Sequence, residues 1–143
     1  MRRLQKASTD GTNLFSILAA QGATGTGTTL DVRAYHDLTL RVSAAATTTL
    51  AYKIQGAVAS ATGTAPDFSA AQTATNHWTY LGSYDLDPAT LVVGATGYSL
   101  ANPTVAASCK LLTVNVDLVD FINVTVTSWT SGNVTIDAIA AND

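Results

Sequence analysis

The sequence predicts an all-β domain: an antiparallel β-sandwich of jelly-roll-like form, with about seven or eight short strands behind an extended N-terminal arm. Three observations carry this. Segments of the chain alternate apolar and polar residues with period two, the mark of strands with one buried face. The composition disfavours long helices: all ten acidic residues are Asp with no Glu, and the Gly content adds to this, while the 23 Thr and the other β-branched residues favour strands. Gly and Asn fall between alternating runs, where a turn needs positive φ.

Taken in chain order, residues 1–13 read as a basic arm and residues 14–143 as one domain. Residues 14–20 and 30–32 are weaker strand candidates, joined by a Gly/Thr tract at 21–29 that reads as a flexible connection. Residues 36–43 place Leu38, Leu40 and Val42 on one side, and 49–58 do the same with Leu50, Tyr52 and Ile54. Residues 44–48 link this pair. A small-residue connection at 59–77 precedes a further strand candidate at 78–84. Another connection, at 85–110, is broken by Pro88 and Pro103 and holds a short strand at 91–93. Three more alternating runs follow, at 111–117, 121–128 and 134–140. The first two are joined by the turn Asp117-Leu118-Val119-Asp120, the last two by a tight hairpin at 129–133. The two long connections are either contact loops or surface loops packed on their own domain by Pro66 and Phe68.

Composition also narrows function. Only 12% of residues are charged, against about 25% in an average globular protein. Four dispersed basic residues in the body cannot track a nucleic-acid backbone, so no nucleic-acid partner is expected. An apolar content of 47% with a net charge of −3 is the opposite of the disorder signature. No apolar run reaches the roughly 18 residues of a membrane span, and the basic start is followed by polar residues where a signal peptide needs an apolar stretch. No membrane partner is expected, and the protein is expected to be made in, and at first to stay in, the cytoplasm. Arg2, Arg3 and Lys6 put +3 in the first six residues. From residue 7 onward Arg33, Arg41, Lys53 and Lys110 stand against ten Asp, a net −6. The arm is then either a frayed terminus or a basic segment that docks on an acidic neighbour, including a second copy.

Chemistry is sparsely provided. Residues 22–27 are glycine-rich but lack the Gly-Lys-Ser/Thr ending and the following helix of a phosphate loop. Asp85 with Asp87 and Asp117 with Asp120 read first as turn residues, and neither pair supplies the oxygens a hard cation wants. His36 and His77 are too isolated for zinc. Cys109 reads as a small buried or half-buried thiol before it reads as a nucleophile. The sequons at Asn123 and Asn133 fall in strands and read as accidents of Asn/Thr-rich faces. No catalytic residue, metal site or cofactor is expected, and the chain is not read as an enzyme. Trp129, with the parity of Thr125 and Thr127, is either a cap on the core or an exposed anchor for a partner.

Four segments resemble small β-sandwich virion proteins of tailed bacteriophages: the Met-Arg-Arg-Leu start; the Gly/Thr tract leading into Leu30-Asp31-Val32-Arg33-Ala34-Tyr35; Ala65-Pro66-Asp67-Phe68-Ser69-Ala70-Ala71-Gln72 with Asn76-His77-Trp78; and the closing runs Phe121-Ile122-Asn123-Val124-Thr125-Val126 and Gly132-Asn133-Val134-Thr135-Ile136. Two features depart from that pattern: Gln55-Gly56-Ala57 runs into an Ala/Thr stretch where acidic residues would follow a Gly-Ser, and Cys109 has no counterpart. The resemblance implies a capsid decoration, or cement, protein on the outside of a phage head. Its partners would be the major capsid protein and, as a homotrimer, itself. Arg2, Arg3, Lys6, Phe68, Trp78 and Trp129 are the expected capsid or intersubunit contacts. The alternatives are another virion component (tail, neck or fibre) with the same sandwich, and a carbohydrate-binding module using exposed Trp78, Tyr98 or Trp129.

Overall fold

The computed structural model describes residues 3–4, 14–87, 89–101 and 108–142. It is all-β, with no helix among these residues and thirteen strands: β1 (Arg3–Leu4), β2 (Leu14–Gln21), β3 (Gly25–Thr26), β4 (Leu30–Asp31), β5 (Asp37–Ala44), β6 (Thr49–Ala57), β7 (Thr79–Tyr80), β8 (Ser83–Asp85), β9 (Thr90–Val92), β10 (Tyr98–Ala101), β11 (Ser108–Asn115), β12 (Phe121–Ser131) and β13 (Val134–Asn142). Two antiparallel sheets form the sandwich. The larger runs β1-β13-β5-β11-β8-β9, with β2 beside β13. The smaller runs β10-β6-β12-β3, with β4 beside β12 and β7 beside β6.

The alternating runs do what their period requires. Leu38, Leu40 and Val42 of β5 face inward with Leu112, Val114, Val134, Ile136 and Ala138, against Leu50, Tyr52, Ile54, Ile122, Val124 and Val126 of the other sheet; all are nearly devoid of solvent exposure. Tyr52 and Tyr98 stack inside this core with ring centroids 5.1 Å apart.

Long strands that follow one another do not pair. The 44–48 link carries the chain from β5 in the larger sheet to β6 in the smaller. The Gly132-Asn133 turn, expected to close a hairpin, is instead a corner that carries β12 of the smaller sheet into β13 of the larger. Pairing joins β12 to β6 and β13 to β5. The two corners are locked together. Gly132 has φ +77°, and a Cβ there would run into the Thr48 hydroxyl. That buried hydroxyl donates to Ala45 O (2.6 Å) and accepts from Asn133 N (3.3 Å).

Other differences from the sequence reading have local causes. The candidate strand at 78–84 is two strands in different sheets, because Leu81 turns inward onto Gly56 and its N–H bonds Ile54 O (2.9 Å). The Gly/Thr tract is strapped down rather than free: β3 pairs with β12, Gly27 N bonds Val124 O, and Thr28 N bonds Ile17 O (2.8 Å). Within the arm, Arg3 and Leu4 pair with Asn142 and Ala141 along β13. Asn123 is buried and donates to Gly27 O and Thr29 Oγ1, so its sequon is enclosed.

Two predictions follow from this packing. A Cβ on Gly27 would run into the Ile17 carbonyl oxygen and the Leu18 side chain, whereas one on Gly63 (φ +79°) meets nothing within 4 Å. Gly27→Ala is therefore expected to cost about 1–3 kcal/mol or more in urea unfolding, and Gly63→Ala only about 1 kcal/mol of backbone strain; equal losses would contradict the strap. Burial pushes the Tyr52 and Tyr98 phenols up from their ordinary range, with Asp85 adding to the effect on both. The folded state thus holds these protons more tightly than the unfolded chain. Stability is whole below about pH 10 and falls as the pH rises further. Of the five tyrosines, these two are expected to ionise only as the circular dichroism of the fold is lost. Tyrosinate absorbance from all five in a folded protein would be the contrary result.

Candidate assembly surface

The most distinctive surface lies at the β9 edge of the larger sheet. Inward positions of β8 are polar but satisfied. Ser83 shares a hydrogen bond with the Tyr98 hydroxyl, and Asp85, almost wholly buried, accepts from Lys110 Nζ (2.6 Å). The opposite parity faces outward and is apolar. Tyr84 lies in register with Leu91 on β9 and with Thr113 on β11, and the Leu86 amide bonds Leu111 O. Leu91 is 82% exposed and Val93 68%, with Leu86, Leu111 and Tyr84 more than a third exposed. Tyr84, Leu91 and Val93 border a shallow groove of about 370 Å³ whose rim includes Asp37 and Asn115. Unlike scattered surface leucines, these residues are neighbours by strand register, so they form one patch.

Two cations beside this patch are answered within the chain, while Asp37 lines the groove and Asp87 is exposed next to Leu86. Lys110 answers Asp85, and Arg41, which faces Leu111 in the register, pairs with Asp137 (2.7 Å). No charged residue occurs from position 88 to 109.

A second surface lies on the outer face of the smaller sheet. Residues 58–78 form an ordered loop there, tied by Asn76, whose side chain accepts from Asp67 N (2.8 Å) and donates to Asp67 O and Ala71 O. Beneath it Phe68 packs with Ala57 and Phe121 into a small separate core, and Gln55 Nε2 donates to Phe68 O (3.0 Å). The Trp78 ring packs on Phe68 and meets Tyr80 edge-on at 5.1 Å, while Lys53 Nζ sits over Tyr80. Arg33, paired with Asp31, lies over the Phe121 ring; the guanidinium holds the Asp31 carboxyl below its ordinary range.

The expected contact residues are thus dispersed. Arg2 and Lys6 lie outside the described residues, as does the side chain of Arg3. Phe68 is only 4% exposed, held within its own domain as the packed-loop alternative requires. Trp78 is half-buried on the loop. Trp129 is exposed, but not on the face its parity implied. A bulge between Val126 and Ser128 shifts the register, so Trp129 stands opposite Leu50, and its Nε1 donates to Gly132 O (2.9 Å). Cys109 is exposed on β11 rather than buried or half-buried. Asp117 pairs with His36 Nδ1 (2.6 Å) and Asp120 accepts from Ala59 N (2.6 Å), so both acids of that turn serve local structure. Among the described residues no cluster of three or more His, Cys or Asp is placed to hold a metal ion.

A sandwich of this kind, with corners crossing between sheets and loops packed on its flanks, defines a jelly-roll-like scaffold. No family model matches the chain, and no curated protein matches it either. Among solved structures it is similar to the SPBc2 prophage-derived protein YomS, with a TM-score of 0.64 and 15% sequence identity over 99% of this chain and 96% of that one. The likeness is one of fold, and it extends over the whole of both chains.

Truncating Phe68 to Ala should remove the centre of the small core. The expected cost is about 3 kcal/mol in denaturant, together with faster proteolysis confined to residues 58–78. Cleavage no faster than in the parent would show that Asn76 and its hydrogen bonds hold the loop without the ring.

Proposed function

We propose that this chain is a structural protein of a tailed bacteriophage that acts by binding, as a decoration protein on the outside of the head. The observation that carries the reading is the uncharged apolar face formed by Tyr84, Leu86, Leu91, Val93 and Leu111 on a rigid sheet. The five side chains of this face are cheap to desolvate, because none of them carries a charge that must be stripped of water. The fold likeness to a prophage-derived protein supports a phage origin, and the low overall charge suits a molecule packed against a shell.

On this reading the outward face of β8 and β11 seats on the major capsid protein, and Trp129 at the sandwich rim adds an aromatic anchor. The mechanism is mechanical. Apolar area removed from water across a capsomer joint stabilises the shell by roughly 25 cal/mol for each Å² buried, and no bond is made or broken. One observation favours a second reading, a glycan-binding module: Trp78 and Tyr80 border a groove of about 490 Å³ with Gln72, Thr125 and Thr127.

Cosedimentation with expanded, undecorated heads of the phage that encodes the protein tests the first reading. Saturable binding is expected, weakened at least tenfold by Leu111→Lys or Leu86→Lys and unchanged by Gln72→Ala. Failure to bind heads, together with retention on a glycan column that Trp78→Ala abolishes, would replace it with the second.

A further inference from the structure

The groove between the 58–78 loop and the outer face of the smaller sheet has two features that the reading above does not use. Its floor is laid in rows. Lys53 of β6 stands in register with Thr125 of β12, which stands in register with Thr26 of β3, and in the neighbouring row Gln55 stands beside Tyr80 of β7. Gln55 is the first feature. It lines the groove and is 1% exposed, and its Nε2 donates to Phe68 O (3.0 Å) while its Oε1 has no partner among the described residues. Buried acceptors are ordinarily paired, so this one marks a place for a donor from outside the chain. The second feature is charge. Arg33 pairs with Asp31, Arg41 with Asp137 and Lys110 with Asp85. Lys53 has no carboxylate partner among the described residues and rests instead over the Tyr80 ring, 4.7 Å from its centroid. None of the described residues lining the groove is acidic, and Asp67, the one acid of the loop, borders a different cavity, with its Oδ1 taken by the Ser69 N–H and hydroxyl.

We propose that this groove binds an acidic saccharide, with a sugar ring against Trp78 and its carboxylate on Lys53. The proposal rests on the glycan reading of the groove given above and adds to it the class of glycan. Thr26, Ser69, Gln72, Thr125 and Thr127 offer hydroxyls and an amide, groups that both donate and accept, as a ligand covered in hydroxyls requires. Trp78 and Tyr80, set edge to face, add apolar surface for the C–H face of a sugar ring. Lys53 then selects among glycans. A lone ammonium with no Arg fork lining the groove fits a monovalent carboxylate better than a phosphate dianion. The chain as a whole is net −3, so an anion finds its counter-charge here at short range, within the roughly 8 Å over which charge is felt at physiological salt. A nucleic acid is a poor fit, because it needs a row of cations where the groove offers one. Head binding, assigned to the larger sheet, uses none of these residues.

A glycan array carrying uronate- and sialate-bearing oligosaccharides beside neutral ones, probed with the full chain, tests this. Titration calorimetry follows on the best-retained glycan and on the same glycan after its carboxylates are reduced to alcohols. Retention of acidic glycans is expected. Carboxyl reduction should weaken binding at least tenfold, a readout that no change in the protein can disturb. Lys53→Gln should weaken it by a similar factor with an unchanged thermal midpoint, the two losses should not add, and Lys53→Arg should keep binding. An acidic glycan held equally well by the Lys53→Gln protein would overturn the proposal. Retention of neutral glycans that Trp78→Ala abolishes and Lys53→Gln leaves alone would also overturn it, while the glycan reading itself would stand. No retention of any glycan would remove both. Cosedimentation with heads should be unchanged by Lys53→Gln, so head binding is scored apart.

Discussion

The contact of Gly132 with Thr48 sets the arrangement of everything else. Each of these residues sits in a corner where the chain leaves one sheet for the other, and the corners are nested so closely that a methyl group on Gly132 would displace the threonine hydroxyl. With them interlocked, β5 must begin its pairing with β13 at Ala44 and Val134, and β6 with β12 at Thr49 and Ser131. Register then propagates unbroken along β5 and β13, whereas along β6 and β12 two irregularities, at Val126/Ser128 and Trp129/Ser131, intervene before the inward run Ile122, Val124 and Val126. Inward residues meet across the sandwich in these registers, and Tyr52 finds its stacking partner Tyr98 within the same packing.

The two outer faces are finished differently. Over the smaller sheet, the 58–78 loop covers Ala57 and Phe121 and builds a second core with Phe68, so that face is closed by the chain itself. Over the β8, β9 and β11 end of the larger sheet there is no comparable cover among the described residues, and the large hydrophobic side chains exposed there are Leu, Val and Tyr. The difference is not one of charge, which is low throughout. It lies in where the long connections lead: one folds back over the sheet it left, while the other is drawn into the short strands β8, β9 and β10.

Alternation made the long strands legible, because the two-residue period is imposed by burial of one face and leaves its trace in the sequence. Strands β5 and β6 begin and end within a residue of where the pattern places them. What alternation cannot carry is the partner. A Gly-Asn pair between two such runs has the same chemistry whether it closes a hairpin or turns a corner, and only packing against Thr48 decides the second. Two-residue strands such as β3 and β7 leave no period at all; their pairing is dictated by the neighbour they lie against. Trp129 was misplaced for a related reason, since a bulge at Thr127 inverts its parity and has no sequence signature here. The apolar patch was half legible. Thr90-Leu91-Val92-Val93 is a short strand signal without alternation, but whether such a run is buried or bare depends on what covers it.

The dependence of both sheets on the last third of the chain has a consequence for synthesis. Strand β12 supplies the partner of β6 and of β3 and β4, and β13 that of β1, β2 and β5. Until residue 121 and those beyond it have left the ribosome, the smaller sheet lacks its central strand and the larger lacks β13, while β5, β11, β8 and β9 already have one another as partners. A chain that stops there keeps those pairings but leaves Leu38, Leu40, Leu112 and Val114 without Ile122, Val124 and Val126 of the shared core. The topology therefore makes closure of the core, and not the pairing of the earlier strands, wait for the last third of the chain.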